Sequence, residues 1–280
     1  VRLDAILVSR NLVRSRDRAR ELVRGGFVEV DGVVVRKPAF RPHPTAALRV
    51  QDELGAYVGR AAGKLAGALD DLPGFQVDGK RVLDAGASTG GFTQVLLERG
   101  AVIVFAVDVG RGQLADRVAR DPRVRSMPAT DVRRLAVADL DGSVDAVVAD
   151  LSFISLTLVL PTLAGLLGPR GDALLLVKPQ FEAGRQALDS RGVVRDGQIR
   201  AQAVAEVAAA ALAVGLRCLR VVPSQLPGSA GNAEFFLWLT VATDRGVGLT
   251  MSEVRDGVLM VDTKPDASTS KEDDHDGPDR

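Results

Sequence analysis

The spacing of apolar positions changes along this chain. Near the start, Leu3, Ile6, Leu7 and Leu12 fall close to helical spacing, and Ala19, Leu22 and Val23 give residues 16–23 one apolar face. Ser15 is a suitable N-cap for that second helix, and Gly25-Gly26 stops it. Residues 27–30 then alternate as a strand, Asp31-Gly32 supplies a tight hairpin turn, and residues 33–35 run back. Residues 48–50 add a further short strand. Beyond residue 80, continuous apolar runs at 101–107, 144–149, 173–177, 216–222 and 232–239 alternate with helical segments at 92–99, 113–119, 151–167 and 199–214. Such runs fit strands buried on both faces of a parallel sheet covered by helices. The short connection at 223–231 predicts an antiparallel pair at one edge. The pattern gives an α/β chain with a Rossmann-like, seven-stranded sheet and a small N-terminal α+β domain.

The stretch Val82-Leu-Asp-Ala-Gly-Ala-Ser-Thr-Gly-Gly91 organises the larger part. An apolar strand ends on Asp84, a loop of small residues carries Gly86, Ser88, Gly90 and Gly91, and a helix opens at Phe92. Strand, glycine loop and helix form the first unit of many nucleotide-binding sheets, with the ligand at the strand's carboxyl end. The dinucleotide spacing is not met by Gly86, Ser88 and Gly91. A carboxylate at Asp84 repels a pyrophosphate and suits a cation, as in the sulfonium and ammonium of S-adenosylmethionine. The next strand ends at Asp108, placed to accept ribose hydroxyls. The bland alternative is an ordinary strand-to-helix turn. The remaining strand ends supply Asp131, Asp150 and Lys178. Each acid alone also fits a helix N-cap, Asp150 before Ser152 especially. A lysine closing the apolar run 174–177 is harder to explain structurally.

Composition narrows the class. The chain has 280 residues, 46% of them apolar, and a formal net charge of zero. That balance hides a basic beginning and an acidic end. Arg14, Arg16, Arg18, Arg20 and Arg24 crowd the second helix, with Arg60 further on, whereas residues 263–280 are rich in acids and lack apolar periodicity. An arginine stripe with few interspersed acids points to a polyanion such as RNA, against the plainer reading of a solvated helix face. The acidic tail is expected to be disordered. No apolar stretch approaches the roughly 18 residues of a membrane span, and no secretory h-region is evident, so no membrane partner and a cytoplasmic location are expected. The single cysteine, Cys218, fits a core strand, and His43 and His275 cannot assemble a metal site with it.

Two resemblances sharpen this reading. Arg2-Leu3-Asp4, Leu12, Ser15-Arg16, Ala19, Leu22 and Val28-Glu-Val-Asp-Gly32 resemble the RNA-binding domain named after the fourth small-subunit ribosomal protein. Asp84-Ala-Gly-Ala-Ser-Thr-Gly-Gly-Phe92, Asp108-Val-Gly110, Asp150-Leu-Ser-Phe-Ile-Ser155, Leu176-Val-Lys-Pro-Gln-Phe-Glu182 and Gly231-Asn-Ala-Glu-Phe-Phe236 resemble the TlyA (hemolysin-A) family of ribosomal RNA ribose methyltransferases. The second resemblance runs to about residue 245. It implies a methyltransferase sheet and a Lys-Asp-Lys-Glu tetrad at Lys64, Asp150, Lys178 and Glu234. It also implies a cofactor site at Asp84, Gly86, Ser88, Gly90, Gly91, Phe92, Asp108, Asp131 and Asp150. From position alone, Lys64 at a helix start also fits an exposed lysine.

The implied activity is methyl transfer from S-adenosylmethionine to a cytidine 2′-hydroxyl of ribosomal RNA, with ribosomal RNA or ribosomal subunits as partner and no metal. A ribose hydroxyl is a poor nucleophile, so alignment of hydroxyl, methyl and sulfonium is expected to supply most of the rate. The domain reading is RNA-binding at 1–55, a linker at 56–64, the methyltransferase domain at 65–245 and an extension at 246–280. The rival readings are a membrane-active hemolysin, a non-catalytic ribosome-assembly factor and, least supported given Asp84, a nicotinamide oxidoreductase.

Overall fold

A computed structural model describes residues 1–13, 15–50, 57–228 and 230–262, without the side chains of residues 17, 18, 21 and 25. Arg14, the Arg18 side chain and the acidic tail at 263–280 lie outside what is described. The chain divides into two compact units, Val1–Ala56 and Tyr57–Arg280.

In the first unit, α1 (Leu3–Ser9) and α2 (Arg16–Gly25) pack on a sheet ordered β2-β1-β3, built from β1 (Val28–Val30), β2 (Val33–Val34) and β3 (Leu48–Val50). Both sheet pairings are antiparallel. Asp31 and Gly32 turn the hairpin at φ 50° and 81°, a region Gly enters freely and Asp tolerates. Leu3, Leu7, Ala19, Leu22, Val23 and Val28 form its core.

One carboxylate sits beside that core. Asp4 is buried and receives Arg2 at 2.9 Å, Arg20 at 3.3 Å and Arg16 at 3.7 Å. The Arg2 hydrogen bond leads in holding its carboxyl down at about 2, against the desolvation that pushes it up. Two arginines of the predicted RNA stripe, Arg16 and Arg20, therefore also clamp α2 to α1, a role their helical spacing does not reveal. Arg24 is exposed.

The second unit opens with α3 (Ala61–Asp71). There follow β4 (Arg81–Ala85), α4 (Gly91–Glu98), β5 (Ile103–Val107), α5 (Asp116–Ala119), β6 (Val124–Met127) and β7 (Val144–Ala149). The chain then forms α6 (Leu160–Leu166), β8 (Leu167–Val177), α7 (Pro179–Glu182), α8 (Gly197–Ala213), β9 (Arg217–Pro223), β10 (Phe235–Thr240) and α9 (Met251–Asp262). The seven strands are ordered β6-β5-β4-β7-β8-β10-β9. Strands β4 to β8 are parallel, and β10 runs antiparallel between β8 and β9.

Alternate residues of each strand enter different cores. Leu83, Ala85, Phe105, Val107, Val147 and Ala149 face α6 and α8, whereas Val82, Val104, Ala106, Ala146 and Val148 face α3 and α4. Each such Val or Leu contributes roughly 1.5–3 kcal/mol by leaving water. This two-sided burial explains why the strands appear in the sequence as unbroken apolar runs.

Several expected boundaries differ. Residues 61–64, predicted as linker, form the first turn of α3. The predicted extension after 245 includes α9, which buries Val254 and Val258 in the main core. The helix predicted over 151–167 is interrupted. Phe153 takes φ 63°, and Ser155 caps a short 3-10 turn, Leu156–Leu158, before α6 begins. The helix predicted over 113–119 is only α5, and β8 starts six residues before its predicted start at 173.

The Asp4 cluster has a defined pH signature. An unfolded aspartate takes its proton near pH 4. With the folded value lowered, the stabilisation is complete above that point and is lost as pH falls towards 2. Asp4→Asn is expected to speed amide exchange across residues 1–50 roughly tenfold at pH 6, the scale of a lost charge-assisted hydrogen bond. An unchanged exchange profile would count against the clamp.

Candidate active site

The carboxyl edge of the parallel strands gathers the ionisable residues. Asp84 lies within β4, Asp108 follows β5, Asp131 comes after β6, Asp150 follows β7 and Lys178 follows β8. Because β10 is antiparallel to β8, with Phe235 opposite Val177, Glu234 enters from the other direction beside Lys178.

The glycine loop is shaped by backbone contacts. The Gly86 and Ala87 amides both donate to the Val107 carbonyl, at 2.9 and 3.0 Å. Gly86 has φ 88°, and a Cβ there would lie 2.6 Å from the Asp150 carbonyl oxygen, so only glycine fits. The Ser88 amide donates to Asp108 Oδ2 at 2.8 Å, and the Gly110 amide to Oδ1 at 2.7 Å. Asp108 is thereby oriented while both oxygens keep spare lone pairs. Gly90, at φ 92°, precedes α4.

Two residues expected at the cofactor also have packing contacts in the core. Phe92 is buried and stacks on Phe236 at 6.2 Å in the core under α3 and α4. Gly91 lets α4 approach α3, since a Cβ would stand 2.9 Å from the Ala62 amide nitrogen. In both cases the helix that continues the loop needs its first residues for packing. Asp131 caps the turn Val132–Arg134 and pairs with Arg133 at 2.6 Å, and the Arg133 hydrogen bond lowers its carboxyl to about 2.

Asp84 lies on the face of β4 turned towards α4, with no exposed surface. Oδ2 accepts the Thr93 hydroxyl at 2.6 Å, and Oδ1 is buried without a hydrogen-bond partner. Burial pushes its carboxyl up to about 7, with Asp150 and Asp108 adding to the rise and Thr93 opposing it. A buried acceptor without a donor is an expensive feature in a native core. It fits a site that presents negative charge to a cationic group.

The four residues implied as a tetrad form two ion pairs. Lys64, from the first turn of α3, is 6% exposed and donates to Glu234 Oε2 at 2.5 Å, with Glu234 3% exposed. Lys178 is 7% exposed and lies 2.6 Å from Asp150 Oδ1. Its hydrogen-bond geometry is met by Ser152 Oγ at 2.8 Å. Gln180, in α7, reaches from the Lys178 turn to Glu234 Oε1 at 3.5 Å and links the pairs. Lys64 is therefore not the exposed lysine that its position alone allowed. Asp150 is not the N-cap of the next helix either, since Ser155 fills that role.

Residues the sequence did not mark complete the edge. Glu182 accepts the Ser155 hydroxyl at 2.5 Å and the Leu156 amide at 2.9 Å, and burial raises its carboxyl. Asn232 is buried. It accepts the Val194 amide at 3.0 Å and donates to the Gly192 carbonyl at 3.0 Å, fixing the 189–195 loop near Glu234. Arg60, expected at RNA, hydrogen-bonds the Pro227 carbonyl. Among the described residues no group of His, Cys, Asp and Glu could hold a metal ion. Cys218 is buried, and burial pushes its thiol up to about 12.

Residues 57–241 match the model of the FtsJ-like methyltransferases. The chain belongs to that family. Its residues 1–47 match the S4 domain. The chain is 50% identical over 247 residues to the 16S/23S rRNA (cytidine-2′-O)-methyltransferase TlyA of Mycobacterium tuberculosis, covering 88% of this chain and 92% of the relative. It is 35% identical to the Hemolysin A of Brachyspira hyodysenteriae, covering 84% of this chain and 98% of that one. A solved structure carrying a hemolysin name, from Streptococcus thermophilus, superposes with a TM-score of 0.74 at 35% identity, over 94% of this chain and 95% of the other. The seven-stranded sheet with its antiparallel β10 is thus an FtsJ-like methyltransferase sheet, preceded by an S4 domain.

Within that FtsJ-like domain, Asp84 opposes stability. Its folded pKa is raised, so the native state holds its proton more tightly than the unfolded chain does. The penalty begins as pH rises past about 4, where the unfolded carboxyl ionises, and is complete above about 7. There it is on the order of 4 kcal/mol. Asp84→Asn is expected to be more stable than the native protein at pH 8 and no more stable at pH 4. Equal denaturation midpoints at both pH values would contradict this.

Proposed function

We propose that this protein transfers the methyl group of S-adenosylmethionine to the ribose 2′-hydroxyl of a cytidine in ribosomal RNA, acting on ribosomal subunits in the cytoplasm. The observation that carries the proposal is the pairing of Lys64 with Glu234 and of Lys178 with Asp150 at the carboxyl edge of an FtsJ-like sheet. The name of the mycobacterial relative supports the substrate class. Among the described residues no helix is long and apolar enough to cross a membrane, and nothing in the site favours the hemolysin reading.

The residues present fit the cofactor. Bound S-adenosylmethionine supplies an electrophilic methyl on a sulfonium. Asp84, with its unpartnered oxygen, is suited to draw the cationic end, and Asp108 to accept ribose hydroxyls. Gly86, where no side chain fits beneath the ligand edge, lets the backbone approach it.

Lys178, held by Asp150, is suited to fix the target oxygen in line with the methyl. Lys64 and Glu234 form a second ion pair beside that of Lys178 and Asp150. Each lysine keeps its carboxylate, so the four tetrad residues are electrically balanced among themselves before substrate enters. Positioning is then the main contribution; as the O–CH3 bond forms and the S–CH3 bond breaks, the hydroxyl proton leaves to the Lys178 amine or to solvent water. Arg24 on the exposed part of α2 is suited to phosphate.

Lys178→Ala is expected to lower methyl transfer to ribosomal subunits by at least about a hundredfold while cofactor affinity measured by calorimetry stays within about twofold. Lys178→Arg separates two roles. A guanidinium keeps its proton at any usable pH, so loss of activity supports proton transfer and retention supports positioning alone. A fully active Lys178→Ala enzyme removes the residue from the mechanism.

A second prediction concerns RNA affinity. Arg24→Gln is expected to weaken binding evenly across RNA sequences and to reduce the slope of log affinity against log salt by about one. An unchanged slope leaves Arg24 a solvated residue.

A further inference from the structure

The proposed mechanism uses Asp150 and Lys178 but leaves the loop that joins Asp150 to α6 without a role. Ser152 on this loop is exposed, yet its hydroxyl accepts a hydrogen bond from Lys178 Nζ at 2.8 Å. A lysine ammonium has three N–H donors on a freely rotating head. A single carboxylate partner leaves that head able to spin about its own axis. Asp150 Oδ1, 2.6 Å away, holds the head by charge without an aligned hydrogen bond, whereas Ser152 Oγ at 2.8 Å takes one N–H along a hydrogen bond and so sets the rotation, which leaves the remaining donors for a substrate oxygen. The Phe181 ring, centred 5.9 Å from Nζ, stands near the same head.

The loop has no regular secondary structure to hold it. Residues 150–155 lie between β7 and the short turn at Leu156–Leu158, and Phe153 sits at φ 63°. Its far end is fastened by Glu182, whose two oxygens take the Ser155 hydroxyl at 2.5 Å and the Leu156 amide at 2.9 Å. Glu182 belongs to α7, which begins immediately after Lys178. The carboxylate therefore ties the segment carrying Asp150 and Ser152 to the segment carrying Lys178, closing a ring of contacts around the ammonium. Glu182 is half-buried, and a surface helix has no other need for a carboxylate turned inwards there.

We infer that Ser152 is a positioning residue that fixes the rotation of the Lys178 ammonium, and that Glu182 is the latch that keeps Ser152 in reach. The inference rests on the methyltransferase reading for its effect on rate, but the contacts themselves can be tested without activity.

The experiment uses the full chain with ribosomal subunits as substrate. Ser152→Ala is expected to lower kcat about tenfold, the effect of one lost charge-assisted hydrogen bond, with KM for RNA and cofactor affinity within about twofold. Ser152→Thr, which keeps the hydroxyl, is expected to recover most of the rate. Glu182→Ala should show the same kcat loss and faster amide exchange at residues 151–156, and Glu182→Gln, which keeps an acceptor for Leu156, should reverse both. A purely structural role would move melting temperature and KM with kcat and would not be rescued by threonine.

The Lys178 ammonium resonance in 15N-lysine-labelled protein, assigned with Lys178→Arg, supplies the readout that needs no substrate. Ser152→Ala is expected to shift or broaden it. An unshifted resonance or a native kcat in Ser152→Ala overturns the inference for Ser152, and unchanged exchange in Glu182→Ala overturns the latch. If the native protein fails to methylate ribosomal RNA, the functional reading falls, and the resonance and exchange measurements still decide the contacts.

Discussion

A charge can sit inside a sheet covered on both faces only where another charge or a hydrogen bond meets it, and this constraint shapes the second unit. The strands β4, β5, β7 and β8 bury mainly apolar residues on both sides, so most ionisable groups gather near the strand ends; the buried Asp172 within β8 is met by Lys80 and Arg245. At those ends the buried lysines meet carboxylates, Lys64 the buried Glu234 and Lys178 the partly buried Asp150. Removing one member of such a pair leaves its partner charged and dry, a loss of about 3–5 kcal/mol. The Lys64–Glu234 pair also ties α3, the first helix of the unit, to the start of its last inserted strand. The antiparallel direction of β10 matters here, because it brings Glu234 to the edge where the parallel strands finish.

Asp84 is the exception to pairing. One of its oxygens has Thr93, and the other has no hydrogen-bond partner in a fully buried setting. The folded protein therefore carries a strained carboxyl at the centre of its glycine loop. Binding sites commonly hold such groups, because a ligand of opposite charge supplies the interaction that the protein's own groups do not. The loop around it is rigid for independent reasons. Two amides converge on the Val107 carbonyl, Asp108 receives two more, and Gly86 leaves no room for a side chain.

The first unit follows the same rule at smaller scale. Its core is small, and a buried carboxylate, Asp4, collects Arg2, Arg16 and Arg20. Those arginines keep much of their surface in water while their heads converge on one point. A helix face can thus contribute to stability and present positive charge outward at once, and the arginine count alone does not separate the two uses.

Much of this was legible in the sequence. The runs at 101–107, 144–149 and 173–177 announced a doubly covered parallel sheet, and the acids and lysine at strand ends marked the edge where ionisable groups gather, because apolar periodicity and turn chemistry are local properties. The motifs around Asp84, Asp150, Lys178 and Glu234 resembled the TlyA (hemolysin-A) family of ribosomal RNA ribose methyltransferases. What the sequence could not show was pairing between distant positions. That Lys64 meets Glu234, that Phe92 and Gly91 serve packing, that Arg16 and Arg20 turn to Asp4, and that Ser152 and Glu182 surround Lys178 all depend on which segments lie side by side. Those contacts are made across strand order and crossover. Spacing along the chain carries no record of them, so only the tertiary structure decided which charges are partners and which carboxyl is left with an oxygen no donor meets.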